Sequence, residues 1–76
     1  MNKSRRRLLT EVIDTMSKCI DSVSNIYEEE IEALSNMPEN LEGSDRYEEM
    51  EARTDILDDI VDRTDEIVSM LEEASR

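Results

Sequence analysis

The only proline, Pro38, and the only glycine, Gly43, of this 76-residue chain both fall inside one short stretch at its middle, PENLEG. Nothing on either side interrupts a helix, so two long segments are free to run helical, and the chain reverses between them. Asn36 and Met37 precede a proline that disfavours helical geometry before it. Pro38 starts a short turn, Gly43 supplies the left-handed conformation that ends it, and Ser44 reads as the N-cap of a second helix. Asp45, Glu48 and Glu49 then favour the positive end of that helix's dipole. The predicted fold is all-α, a single domain over 1–76 built as a two-helix antiparallel, coiled-coil-like hairpin. Its expected elements are a helix over about 4–36, a turn over 37–43 and a helix over about 44–75, with a rod length of roughly 45 Å at 1.5 Å per residue.

The apolar pattern sets how those helices pack. Leu9, Ile13, Met16, Ile20, Val23, Tyr27 and Leu34 recur at alternating steps of four and three, with one position of the heptad taken by Glu30. Val12, Cys19 and Ile26 repeat every seven beside that line. Thr10, Ser17 and Ser24 repeat on the other flank. In the second segment Met50, Thr54, Leu57, Val61, Thr64, Val68 and Leu71 form one line, and Ile56, Ile60, Ile67 and Met70 lie beside it. The resulting apolar arc covers roughly 200° of the helix, more than one neighbour covers. A chain this short rarely buries enough apolar surface alone. A single cysteine closes no intramolecular disulfide, and without histidine no structural zinc set exists. Homodimerisation into a four-helix bundle is the expected remedy, with Ile56, Ile60, Ile67 and Met70 in the contact between subunits. Cys19 reads as a small buried hydrophobe in that arc.

Charge bounds the function. The chain holds 21 acidic against 9 basic residues, a formal charge of −12. Residues 1–25 carry five cations and three acids, whereas residues 26–52 carry ten acids and one cation, Arg46. One end of the hairpin is therefore nearly balanced and the tip is strongly anionic. Without histidine or a second thiol, acid–base, nucleophilic and zinc chemistry lack their usual side chains, so no enzyme activity, cofactor or metal is expected. Carboxylate pairs four apart, such as Glu28 with Glu32 and Asp55 with Asp59, face solvent rather than a di-metal core. Arg5, Arg6 and Arg7 are either a small anion contact or a frayed end paired with Glu72 and Glu73. Three arginines on an acidic body are a poor nucleic-acid footprint, so direct nucleic-acid binding is not expected. No apolar run marks a leader or membrane span, and the lone thiol fits a reducing compartment, which points to a cytoplasmic protein.

The run ALSNMPENLEGSDRYEEMEARTDILDDIVDRTDEIVSMLEEA resembles a group of small acidic helical-hairpin proteins of phages and bacterial mobile elements. The residues that carry the likeness are Asn36, Met37, Pro38, Glu39 and Leu41 in the turn, and Ser44, Arg46 and Tyr47 at the following helix start. The resemblance implies no assigned activity, but it implies a setting in which tiny acidic proteins disarm host defence. The expected function is that of a non-enzymatic oligomer that binds and inhibits a host protein with a basic surface, for example a nucleic-acid-directed nuclease. Its contact residues are expected at the acidic tip: Glu28, Glu29, Glu32, Glu39, Glu42, Asp45, Glu48, Glu49 and Glu51. A DNA mimic is the sharper form of that reading, since carboxylates at helical steps approximate phosphate spacing. A nucleotide or small-anion sponge built on the N-terminal arginines, and a structural scaffold, are the alternatives.

Overall fold

A computed structural model describes the whole chain, Met1–Arg76. Helix α1 spans Lys3–Ser35 and helix α2 spans Asp45–Ala74, with one 3₁₀ turn, Glu39–Leu41, between them. There are no strands, and the two helices form a hairpin as the spacing predicts.

The end of α1 is firmer than a frayed terminus. Asn2 adopts extended backbone geometry and its Oδ1 accepts a hydrogen bond from the Arg5 N–H at 2.8 Å, so the helix begins capped at Lys3. Arg5, Arg6 and Arg7 therefore belong to ordered helix. None of them forms an ion pair with Glu72 or Glu73; Arg76 takes Glu73 instead, at 3.3 Å.

At the tip the chain turns through a short ladder of backbone bonds. Asn36 caps α1, its N–H donating to the Glu32 carbonyl at 3.0 Å. Pro38 then holds φ −58° and ψ 144°, which takes the backbone out of the helix. Leu41, Glu42 and Ser44 donate in turn to the carbonyls of Pro38, Glu39 and Leu41. Gly43 sits at φ 81°, the only positive φ in the chain. A Cβ placed there would meet nothing within 4 Å, so the position requires glycine for its dihedral and not for space. Ser44 caps α2, its Oγ accepting from the Tyr47 N–H at 3.2 Å.

Packing follows the two heptad lines. Ile20 of α1 and Thr54 and Val68 of α2 are the only buried residues, and the rest of both lines is half-buried. Glu30, the interruption in the α1 line, is half-buried with it. It shares one surface depression with Met50 and Arg53 and another with Arg53 and Leu57. Thr54, at 2% exposure, satisfies its hydroxyl within its own helix by donating to the Glu51 carbonyl at 2.7 Å. No buried side-chain polar atom lacks a partner.

The molecule is a thin rod, 59 × 14 × 12 Å in Cα extent. It exceeds the expected 45 Å because the 33 residues of α1 alone reach about 50 Å and the 3₁₀ tip projects beyond them. Its radius of gyration of 17.4 Å compares with about 11 Å for a compact domain of this length.

Candidate interaction surfaces

With so little buried, the chemistry of this chain lies on its long faces. Ile26 of α1 and Ile56 of α2 line one shallow depression, and Ala33 and Arg46 line another. The apolar rows flanking the two seams are thereby on the same side of the hairpin, here called the front. Along α1 the front carries Leu8, Val12, Cys19 and Ile26; along α2 it carries Ile56, Ile60, Ile67 and Met70. All are exposed, from 43% at Ile60 to 68% at Met70. Cys19 is therefore exposed in the single hairpin rather than buried as its row suggests, because α2 covers only the adjacent seam.

The rod shape leaves the molecule with more surface than its mass requires. The chain exposes 5963 Å², whereas a folded monomer of 8.8 kDa exposes about 4,800 Å². The excess of roughly 1,200 Å² belongs to the elongated rod as a whole.

Arginines border the front of α2. Arg46 and Arg53 are seven apart on the same row as Ile60 and Ile67, and Arg63 lies between Ile56 and Met70 on the outer row. Arg53 and Arg63 are held by intrahelical pairs, to Glu49 at 3.8 Å and to Asp59 at 2.8 Å. Sequence reasoning did not single out this border or Leu8, although the sevenfold spacing of Arg46, Arg53 and Ile60 marks it.

On the opposite flank, the back, α2 carries Glu51, Asp55, Asp58, Asp62, Asp65 and Glu72. These follow the same four-and-three stepping as the seam, with Ser69 in the one missing place. Every member is exposed and none takes part in an ion pair. The result is a straight line of carboxylates about 5 Å apart along the axis. Beside it α1 offers only Thr10, Ser17, Ser24 and Ile31.

Glu28, Glu29, Glu32, Glu39, Glu42, Asp45, Glu48, Glu49 and Glu51 are all exposed around the tip. At 100° per residue they point in different directions: Glu29 and Glu49 border the front, and Glu28 and Glu51 the back. They form a collar rather than one flat face. At the other end Arg5, Arg6 and Arg7 are exposed and have no ion-pair partner.

No group of His, Cys, Asp and Glu side chains is placed to hold a metal ion, and the surface depressions are shallow. No helix is long and apolar enough to cross a membrane. No protein-family model, curated protein or solved structure matches this chain.

Proposed function

We propose that this chain is a non-enzymatic interaction protein. Two copies associate through their front faces into a four-helix bundle, and the acidic surfaces left outside bind and block a partner protein that presents a basic groove. The observation that carries this reading is segregation: the exposed apolar residues of the rod concentrate on the front, while the unpaired carboxylate line runs along the back. Such an arrangement lets self-association hide the apolar surface without covering the carboxylate line of the back. A basic groove of the kind that holds a nucleic-acid backbone is the natural counterpart of a carboxylate line. The likeness to phage and mobile-element proteins directs the search toward host nucleases.

The test is capture of a partner from bacterial lysate by the immobilised protein, followed by reconstitution with the purified partner. Capture is expected to weaken steeply between 50 and 500 mM NaCl, by about tenfold or more. Replacing Glu39, Glu42 and Glu51 by lysine, or Asp55, Asp58 and Asp62 by asparagine, is expected to abolish capture while circular dichroism shows unchanged helicity. Loss of capture on replacing Arg5, Arg6 and Arg7 by alanine, with both acidic sets dispensable, would overturn the reading in favour of an anion sponge.

A further inference from the structure

Self-association through the front leaves two directions for the second rod, and the charges along α1 discriminate between them. We propose that the second copy docks antiparallel, α1 against α1 and α2 against α2. The two-fold axis crosses the rod at Cys19, and each copy's N-terminal arginines lie beside the Glu28–Glu32 shoulder of the other. This rests on the self-association proposed above and adds its geometry.

The charges of α1 run against its own dipole: there is no acid in the first turn, which holds Arg5 and Arg6, and no base in the last. An antiparallel α1 from a second copy sets cationic start beside anionic end, twice over. Arg5 lies on the docking face itself, because it stands seven residues before Val12 on the row that continues through Cys19, Ile26 and Ala33. That row is symmetric about Cys19. A perpendicular dyad there sets Val12 on Ile26 of the other copy and brings Arg5, Arg6 and Arg7 level with its residues 31–33, next to Glu29 and Glu32.

The apolar row of α2 accommodates an axis near the same level. The register that seats Ile26 beside Leu57 and Ala33 beside Met50 places Cys19 level with Thr64. A dyad one residue on, at Asp65, pairs Ile60 with Met70 of the second copy and Ile56 with its Ala74, apolar with apolar, and sets Ile67 level with Arg63, whose guanidinium is held by Asp59. A parallel dimer would instead put two tips side by side, each with ten acids and one cation in residues 26–52. The antiparallel dimer separates them by nearly the 59 Å of the rod, several times the Debye length of about 8 Å at physiological salt.

Nitroxide labels on Glu42→Cys, in a Cys19→Ser background, read the direction. Light scattering is expected to give a dimer, and the distance between labels is expected to approach the 59 Å rod length. A distance of about 20 Å, two interhelical spacings, would mean a parallel dimer and overturn the proposal. A monomer by scattering would overturn the self-association reading itself, so the two failures are distinguishable. In the native sequence, a short bis-maleimide, whose two double bonds each add one thiol, is expected to link Cys19 to Cys19; a dimer that does not link would overturn the placement of the axis. Replacing Arg5, Arg6 and Arg7 by glutamate is expected to raise the dimer Kd about tenfold or more, and adding Glu28, Glu29 and Glu32→Lys to restore it. If the combined variant is no tighter than the arginine variant alone, the proposed charge contact is wrong.

Discussion

Gly43 is the residue at which the hairpin is most sensitive to a single methyl group. Its φ of 81° is strained for any L side chain, and the space around it is open. Gly43→Ala is expected to lower stability by about 1 kcal/mol, and Gly43→Asn by less, since asparagine tolerates the left-handed region. Urea titration at fixed protein concentration checks both. The opposite case is Ile20, at 8% exposure the most buried aliphatic side chain. Ile20→Ala is expected to remove about 2–4 kcal/mol, a large share of the stability of any domain this small. Thr54 is more buried still, but its hydroxyl bonds to its own helix and Thr54→Val is expected to be nearly neutral by the same titration.

Helix α2 holds most of the self-repulsion. Its carboxylate line places like charges four apart with no cation among them, and each such pair disfavours the helix by a few tenths of a kcal/mol, roughly. Asp62→Lys converts two of these contacts to attractive ones and is expected to raise the melting temperature by about 2–4 °C. Added salt is expected to raise it in the unmodified protein by screening the same repulsion. A melting temperature that falls with salt would mean that the exposed intrahelical pairs, such as Lys18 with Asp14 at 3.0 Å, outweigh the repulsion. The heptad lines of both helices were legible in the sequence because a seam between two helices imposes a period. Pro38, Gly43 and Ser44 were legible because each has one backbone use. The back line of α2 has the same period, but carboxylates read as filler once the apolar residues are placed. Asn2 was open to recognition as an N-cap, and the row of arginines beyond it drew attention away. Cys19 was misplaced for a different reason: a row beside the seam is covered only by a neighbour, and one chain does not supply it.

For the whole molecule, stability and assembly are not separate quantities. Ile20 and Val68 are its only buried apolar residues, and Val12, Ile26, Ile56, Ile60, Ile67 and Met70 of the front all stay exposed in the single hairpin. The melting temperature is therefore expected to rise with protein concentration, as mass action requires of a dimer. Ile60→Asp places a charge on a side chain that is 43% exposed in the single hairpin, so the hairpin itself tolerates it better than the interface does. That variant is expected to run as a monomer in light scattering and to melt at a temperature independent of concentration. A dimer that survives Ile60→Asp would place the contact elsewhere than the front.

The single short turn also orders the events by which the rod forms. Residues opposite one another near the tip, such as Met37 and Tyr47, are few bonds apart, whereas Leu9 and Ser75 at the open end are separated by nearly the whole chain. Loop closure is cheapest at the tip, so the helices meet there first and zip outward. Amide exchange should show the reverse order, with protection declining from the turn toward the termini. In a head-to-tail pair of rods, the loosest end of each would rest against the earliest-formed end of the other.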